Sequence, residues 1–321
     1  MDKIIAIIPA RYQSSRFPGK PLADIFGRPM IWWVYNQVIK VKEFLEVYVA
    51  TDDQRIADVC SNYGMKFIMT QSNHPTHVHR IHEVSDNIAA DYYVVVCGDE
   101  PLISPDIIEA VFPSQDVDNS HMYVGGLCRY FTEPAEVIDP ANIKIVTNDS
   151  DECVLLSRAP IPFPYKTVLF KYKKVVGVEC YNKQALDFLK QDAPNTIAQQ
   201  KELVVIEAPT FQEKQRSLHY AQMLKAAGLQ DVTIDEKFNV YGKIYGSGKT
   251  GKSVLLEGHL DTVFSFGTVT DVIEKDGKLY APGICDDTRA LAANLSVIRA
   301  LVNSGLRPHH DIMIAGTAAE E

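Results

Sequence analysis

The chain has 321 residues, about twice the usual length of one domain, so two folding units are expected. Hydrophobic residues make up 46% and charged residues 23%, which is typical of a globular protein and excludes a disordered or fibrous chain. The formal net charge of -9 argues against a general nucleic-acid binder. An anionic ligand would therefore need a local cluster of Arg and Lys side chains.

The cysteine pattern and the apolar runs indicate where the protein works. The six cysteines are scattered and form no CxxC pair, which is typical of reduced thiols in a cytoplasmic protein. The apolar run that begins at Ile4 is too short for a secretion signal, and no run reaches the roughly 18 apolar residues of a membrane span. We expect a cytoplasmic protein that binds neither membranes nor nucleic acid.

In the first part of the chain, short apolar runs alternate with segments whose apolar residues recur at the spacing of a helix. Strands are predicted at 4–8, 47–50 and 92–96, and helices at 30–41, 54–63 and 105–112. This alternation predicts an α/β fold with a mostly parallel sheet, which binds ligands at the carboxyl ends of its strands. The polar loops after Pro9, Ala50 and Cys97 are expected at that edge.

The pattern changes after residue 120, where strands follow one another to residue 181 with little helix between them. A helix is predicted at 184–190, and the polar stretch 191–195, which contains a proline, is predicted to be a domain boundary. A second α/β unit is expected beyond it. Its predicted elements are helices at 212–227 and 289–303, strands near 232, 240, 254 and 312–314, and a hairpin at 276–277.

A basic loop follows the first predicted strand. Arg11, Arg16 and Lys20 lie within ten residues, in a segment that also contains the turn pair Pro18-Gly19. Backbone N–H groups and cationic side chains of such a loop suit a polyphosphate. A solvated basic loop without a ligand is the alternative.

Several ordered motifs of the first part resemble one enzyme family. The loop Pro9-Ala10-Arg11 to Pro21-Leu22, the segment Gly98-Asp99-Glu100-Pro101-Leu102 and the segment Ser157-Arg158-Ala159-Pro160 resemble cytidylyltransferases that activate acidic sugars, above all those of 3-deoxy-manno-octulosonate (KDO). The resemblance implies a Rossmann-like nucleotidyltransferase domain over residues 1–190. It implies that CTP and a 2-keto sugar acid give a CMP-sugar and pyrophosphate with Mg²⁺, in lipopolysaccharide or capsule synthesis. A homodimer is a further expectation.

The same resemblance implies roles for individual residues. Arg11 and Lys20 would bind the CTP phosphates and Asp99 would bind Mg²⁺, so these three are the expected catalytic residues. The residues expected at the nucleotide are Ala10, Arg11, Ser14, Arg16, Lys20 and Arg80. Lys144 and Arg158 are expected at the sugar carboxylate or the phosphates.

The chain departs from this family at several positions. The family's Ser-Gly-Thr-acid-Arg run is replaced by 75–80, of which only Arg80 is kept. The replaced segment contains two of four closely spaced histidines, which are at positions 74, 77, 79 and 82. A metal site and replaced substrate contacts are the two interpretations, and the poor helical spacing favours the second. Cys97 replaces a common glutamine and 175–177 lacks a histidine, so the sugar stays open. The family's second metal-binding aspartate is not found, so the Mg²⁺ site is expected to be half built.

The second part contains a His-x-Asp motif at a predicted strand end. The segments Glu257-Gly258-His259-Leu260-Asp261, Cys285-Asp286-Asp287 and Glu320-Glu321 resemble the co-catalytic zinc exopeptidases and amidohydrolases of the acetylornithine deacetylase and succinyl-diaminopimelate desuccinylase type. A partial α/β zinc-peptidase-like domain is therefore expected over residues 195–321.

The zinc-hydrolase resemblance also implies residue roles. His259, Asp286 and Glu321 would be Zn²⁺ ligands, Asp261 would orient His259, and Glu320 would be the catalytic general base. The family's remaining ligands and its dimerisation domain are not expected in this chain, so the unit is truncated and amide hydrolysis is not expected from it.

Residues 246–253 match the phosphate-binding pattern GxxxxGK[ST]. That pattern binds phosphate only where a helix follows it, and here a predicted strand follows. We expect a glycine-rich hairpin turn instead.

The leading interpretation is a Mg²⁺-dependent cytidylyltransferase with a truncated zinc-hydrolase segment fused behind it. A zinc-dependent amide hydrolase defined by the second part is one alternative. A nucleotide- or metal-binding protein without turnover is the other, and the sequence leaves open whether the fusion is natural.

Overall fold

The computed structural model describes residues 2–13, 17–114, 120–139, 142–147, 153–157, 160, 171–248, 251–268 and 271–320. The chain divides into two compact units, 1–146 with 156–190, and 147–155 with 191–321. Each unit combines helices with strands, which confirms the predicted α/β class. No helix in the described ranges is both long and apolar enough to cross a membrane.

The elements up to residue 190 alternate as the sequence predicts. The strands are β1 (Ile4–Ala10), β2 (Asp24–Ile25), β3 (Arg28–Pro29), β4 (Phe44–Thr51), β5 (Phe67–Met69), β6 (Tyr92–Val96), β7 (Val124–Tyr130), β8 (Lys144–Thr147), β9 (Cys153–Ser157) and β10 (Lys173–Asn182). The helices are α1 (Met30–Val38), α2 (Gln54–Asn62), α3 (His77–Asn87), α4 (Pro105–Glu109), α5 (Pro134–Ile138) and α6 (Lys183–Val204), with a short 3-10 turn at Lys20–Leu22.

The sheet of the first unit is parallel at its centre. Strands β5, β4, β1 and β6 lie side by side in parallel, with Ile7 opposite Val95 in the register of β1 and β6. Strand β10 then runs antiparallel to β6, and β7 and β8 pair with β10 in turn. The carboxyl ends of β1, β4 and β6 therefore meet at one edge of the sheet.

Strand β1 explains why helices cover both faces of this sheet. Ala6 and Ile8 pack in one core with residues of α1, α2 and α4, whereas Ile5 and Ile7 pack in a second core with residues of α3 and α6. A strand that buries both faces reads as a continuous apolar run, as Ile4–Ile8 does. The result is a three-layer α/β unit.

The stretch 191–195, predicted as a domain boundary, is helical, and the division between the two units falls at its start, between residues 190 and 191. Helix α6 is continuous from Lys183 to Val204 and contains Pro194. Asp192 accepts hydrogen bonds from Arg299 Nε at 2.6 Å and from Ser296 Oγ at 2.5 Å. Asp192 therefore makes tertiary contacts within the second unit.

The second unit combines helices with a four-stranded sheet, which is smaller than the eight-stranded sheet of the first unit. Its remaining elements are α7 (Lys214–Ala226), β11 (Gln230–Ile234), β12 (Val240–Ile244), β13 (Ser253–His259), β14 (Ile273–Lys275), β15 (Lys278–Tyr280), α8 (Thr288–Ser304) and β16 (Asp311–Thr317). The strand order is β11-β12-β16-β13, and residues of α7 and α8 pack with it in one core. Strands β14 and β15 form the predicted hairpin.

The expected hairpin turn at 246–253 is wrong. Strand β16 lies between β12 and β13, antiparallel to the first and parallel to the second, so the segment is a crossover connection. Residues 249 and 250 lie outside the described ranges. The segment leads directly into β13 at Ser253, so the helix that a phosphate-binding loop requires does not follow it.

Candidate active site

A cavity of about 540 Å³ lies at the carboxyl edge of the first sheet. The end of β1, the turn at Lys20, the start of α3 and the segment after β6 contribute to its wall. The lining residues that bear on chemistry are Ala10, Arg11, Lys20, His77, Arg80 and Asp99. The structure thus brings together five of the residues that the resemblance placed at the nucleotide or the metal.

Lys20 and Asp99 meet directly in this cavity. The Lys20 Nζ lies 2.5 Å from Asp99 Oδ2, and the two side chains are 38% and 46% exposed. Gly19 takes a φ of 72° before the turn, and its N–H donates to the Tyr12 carbonyl at 2.8 Å, which returns the loop to the sheet edge. Asp99 lies three residues after the end of β6. A cation and a carboxylate that both reach solvent can each receive a ligand.

Arg80 lies at the cavity wall but is almost fully buried. Its Nη1 donates to Thr70 Oγ1 at 2.6 Å, and its Nη2 lies 3.2 Å from Asp52 Oδ1. Asp52 follows β4 and Thr70 follows β5, so Arg80 ties α3 to the ends of two strands. Its predicted contact with the nucleotide remains a prediction.

The four histidines after β5 do not converge on one point. His74 pairs with Glu83, His77 with Glu179, and His79 with Thr76. His82 lies 2.9 Å from Asp187 and 3.2 Å from Asp86, and this trio has the spacing of a metal site. Lys183 contacts both of its carboxylates and already supplies a positive charge there.

Lys144 is buried and is not among the described residues that line the cavity. Its Nζ donates to the carbonyls of Asp139 at 2.7 Å and Asn142 at 3.0 Å. Its predicted contact with the sugar stays a prediction. Ser14, Arg16, Arg158 and Glu321, which were also predicted as site residues, lie outside the described residues.

His77, in the cavity wall, has a partner that sequence reasoning missed. Glu179 lies on β10 opposite Val95 of β6, and its Oε2 lies 3.0 Å from His77 Nε2. Tyr181 Oη donates to the same oxygen at 2.8 Å. The available signal was a single carboxylate in the mostly apolar run 175–181 of this strand, since such a group needs a partner when it is buried.

In the second unit, the structure brings His259 and Asp286 together. His259 Nε2 lies 3.1 Å from Asp286 Oδ1, and its Nδ1 lies 3.1 Å from the carbonyl oxygen of Asp261. Burial opposes the charged imidazole, but the hydrogen bond to Asp286 and the nearby carboxylates raise the pKa of His259 above its ordinary value. Asp261 is fully buried and accepts a hydrogen bond from the Glu320 N–H at 3.2 Å. The predicted residues His259, Asp261, Asp286 and Glu320 therefore lie in one neighbourhood.

Comparisons with known proteins match both parts of the chain. A family model described as cytidylyltransferase matches residues 5–228, and one described as peptidase family M20/M25/M40 matches residues 255–321. Both resemblances inferred from the motifs are thus confirmed. The first match extends past the predicted end of the domain at residue 190.

Individual relatives show how much of the chain is covered. The 3-deoxy-manno-octulosonate cytidylyltransferase of Escherichia coli is 38% identical over 202 residues, which is 63% of this chain and 81% of that protein. The protein of the same name from Vibrio vulnificus strain YJ016 is 45% identical over 160 residues, 49% of this chain and 62% of that protein. The solved structure of CMP:2-keto-3-deoxy-manno-octonic acid synthetase complexed with CTP is 34% identical, covers 70% of this chain and 86% of that chain, and has a TM-score of 0.54.

Proposed function

The chain belongs to the cytidylyltransferase family, and we propose that its first unit transfers the CMP group of CTP to an acidic 2-keto sugar of the KDO type. The products are the CMP-sugar and pyrophosphate. A place in lipopolysaccharide or capsule synthesis and a cytoplasmic location, where CTP is made, are part of this proposal.

One observation carries the proposal. Arg11, Lys20 and Asp99 line the same cavity, and the Lys20 ammonium lies 2.5 Å from the Asp99 carboxylate. Two cations at the end of a strand suit the phosphates of CTP, and a carboxylate beside them suits a divalent cation bound to the same phosphates. The described residues of the first unit offer this combination in a cavity of about 540 Å³, a volume typical of small-molecule sites.

The reaction depends on position and charge more than on a covalent intermediate. The anomeric hydroxyl of the sugar attacks the α-phosphorus while pyrophosphate leaves in line. Arg11 and Lys20 would hold the phosphate oxygens and neutralise the charge that develops on the leaving group. The wall of the cavity would hold the sugar on the side of the α-phosphorus that is opposite to the leaving pyrophosphate.

The donors at Asp99 fit a magnesium ion. The side chain is about half exposed and offers hard carboxylate oxygens, and the Lys20 ammonium shows that a positive charge is accommodated against it. When bound, Mg²⁺ would supply charge neutralisation of the triphosphate. Lys20 would then turn from Asp99 to the phosphates.

A second candidate function is zinc-dependent amide hydrolysis in the second unit. The pairing of His259 with Asp286 favours it, as does the match to the M20 peptidase family. An imidazole nitrogen and a carboxylate oxygen 3.1 Å apart fit Zn²⁺, and Asp261 lies where it can orient the imidazole. A catalytic zinc takes three protein ligands, and the described residues supply two here, so hydrolysis is the weaker candidate.

Pyrophosphate release tests the first proposal. The full chain is incubated with CTP, Mg²⁺ and a panel of 2-keto sugar acids that includes KDO. We expect release from the wild type, and a loss of about 100-fold or more in Asp99→Asn. The matched variant Asp106→Asn, at an exposed carboxylate of α4, keeps wild-type activity.

Two results would decide between the candidates. Absence of release from the wild type with every sugar acid contradicts the transferase proposal. Amide hydrolysis by the zinc-loaded chain that is lost in Glu320→Ala would instead favour the second unit as the active part.

A further inference from the structure

His77, in the wall of the cavity, forms a dyad with Glu179 behind it on β10. They are 102 residues apart in the sequence, and the fold brings His77 Nε2 to 3.0 Å from Glu179 Oε2. His77 is the first residue of α3, and Glu179 lies on β10 beside the carboxyl end of β6. Two layers of the unit therefore meet at this pair.

Glu179 is held as a carboxylate. Burial alone would raise the pKa of Glu179, but the hydrogen bond and charge of His77, with the hydrogen bond from Tyr181, hold that pKa below its ordinary value. An ionised carboxylate only accepts hydrogen bonds, so the proton between the two side chains belongs to His77 Nε2. In the neutral imidazole, Nδ1 is then left as an acceptor.

Nδ1 is the ring nitrogen available to a ligand. The imidazole lines the cavity together with Arg11, Lys20 and Asp99, and its side chain is 44% exposed. Within the described part of the chain, no hydrogen bond to His77 Nδ1 is found.

The other described groups of the cavity wall are poor bases for a neutral hydroxyl. The Cys97 thiol packs against the backbone of Gly177, where an added Cβ would lie 2.9 Å from its Sγ. His74 is paired with Glu83 and its side chain is only 14% exposed. Asp99 is paired with Lys20. Among these groups, His77 alone combines a side chain that is 44% exposed with an imidazole nitrogen for which the described residues supply no hydrogen-bond partner.

We propose that His77 is the general base of the transfer reaction and that Glu179 positions it. The inference rests on the proposed function of the first unit. Nδ1 accepts the proton of the sugar's anomeric hydroxyl as the hydroxyl oxygen bonds to the α-phosphorus of CTP. The bond between the α-phosphorus and the bridging oxygen breaks at the same time, and its electron pair leaves with pyrophosphate. The imidazolium that results is stabilised by the Glu179 carboxylate, in the way a carboxylate supports a catalytic histidine elsewhere.

The test measures steady-state pyrophosphate release by the full chain with CTP, Mg²⁺ and KDO. His77→Ala should lower kcat by about 100-fold or more, whereas the KM values for CTP and sugar change by less than about threefold. Glu179→Gln keeps a hydrogen-bonding side chain but removes the charge, and should lower kcat by about tenfold or more. The control is His219→Ala, at a histidine of the second unit that pairs with Glu202, and it should stay within about threefold of the wild type.

A rescue experiment separates a base from a structural residue. Added imidazole should raise kcat of His77→Ala by about tenfold or more, and should leave the wild type unchanged. A purely structural role predicts no rescue, since a free imidazole cannot restore packing at residue 77.

The outcomes are distinct. An active wild type with His77→Ala within about threefold of its kcat overturns the base assignment alone, as does a rise in KM at unchanged kcat. If His77→Ala does not bind CTP or does not fold, Glu179→Gln decides, and wild-type kcat in that variant overturns the proposal. A wild type that releases no pyrophosphate with any sugar acid overturns the proposed function, and the assignment with it.

Discussion

Gly177 packs directly against Cys97 at the junction of β10 and β6. The Cys97 N–H donates to the Gly177 carbonyl at 3.0 Å, and a Cβ added at residue 177 would lie 2.9 Å from Cys97 Sγ. Real Cβ atoms do not approach a neighbour this closely, so the small residue at 177 is what allows a thiol two residues before Asp99. The two positions are expected to change together.

The first prediction follows from this contact. Gly177→Ala should lower the free energy of unfolding by about 1–3 kcal/mol, because the added methyl group overpacks the junction. It should also reduce transferase activity, since Asp99 lies close by in the chain. Urea denaturation followed by circular dichroism, with pyrophosphate release, measures both.

A second substitution checks the cause. Cys97→Ala combined with Gly177→Ala should recover part of the lost stability, because the sulfur at 2.9 Å is removed while the Cβ of residue 97 at 3.1 Å remains. Gly126→Ala is the matched control, since Gly126 lies on the neighbouring strand β7 and an added Cβ would meet nothing within 4 Å. Equal destabilisation by Gly126→Ala would show that the backbone preference of glycine, rather than Cys97, is responsible.

The second prediction concerns the charge of Lys20. Lys20→Met should lower kcat/KM by about 100-fold or more, because a cation that neutralises the leaving group is lost. Its effect on the free energy of unfolding should stay below about 1 kcal/mol, since both partners of its ion pair are more than a third exposed and water screens the attraction.

Two measurements make this prediction specific. Lys42→Met, at an exposed lysine between α1 and β4, should leave both kinetics and stability unchanged. A Lys20→Met enzyme with normal kcat/KM would contradict the role of Lys20 at the phosphates.

The meeting of Lys20 with Asp99 was predictable from the sequence, and the reason is topological. Both residues follow apolar strands, and the carboxyl ends of parallel neighbours must lie at one edge. Ile4–Ile8 and Tyr92–Val96 bury both faces, so their runs of apolar residues identify them without further information.

The features that were missed depend on contacts between distant segments. No local pattern joins His77 to Glu179, because the pairing of β10 with β6 creates that contact. Helix α6 continues through Pro194, and its Asp192 is bound by α8, more than 100 residues later. The segment at 246–253 was predicted as a hairpin turn because it is glycine-rich and a strand follows it, whereas β16, from a distant segment, lies between β12 and β13.

The third prediction tests the metal assignment in the second unit. His259→Ala should weaken Zn²⁺ binding by about 100-fold or more, because loss of a ligand should cost at least as much as loss of a group that only orients one. The readout is competition with a chromogenic zinc chelator. The control is His219→Ala, since His219 pairs with Glu202 at 2.7 Å and belongs to another part of the same unit. Equal zinc affinity in His259→Ala and the wild type would rule out His259 as a ligand.

The fourth prediction concerns the ion pair that joins α6 to α8. Asp192 accepts hydrogen bonds from Arg299 Nε at 2.6 Å and from Nη2 at 2.7 Å, and its side chain is 6% exposed. Burial by itself would raise the pKa of Asp192, but the bonds from Arg299 and Ser296 hold it below its ordinary value of 3.8. Asp192→Asn should lower the stability of the second unit at pH 7 by about 3 kcal/mol, because Arg299 is left without its counter-charge.

The pH dependence of the stability difference between the wild type and Asp192→Asn tests whether the charge of Asp192 causes it. A carboxyl whose pKa is depressed by folding stabilises the native state above its unfolded pKa, and this stabilisation is lost as the pH falls through the folded value. The gap between wild type and Asp192→Asn should therefore be complete at pH 7 and should shrink as the pH falls below 3.8. Hydrogen exchange of α8 amides at pH 7 and on titration to lower pH measures it, with Asp271→Asn as the control at an exposed carboxylate. A gap that stays constant as the pH falls would mean that Asp192 acts through packing, and that its charge contributes nothing to holding the two helices together.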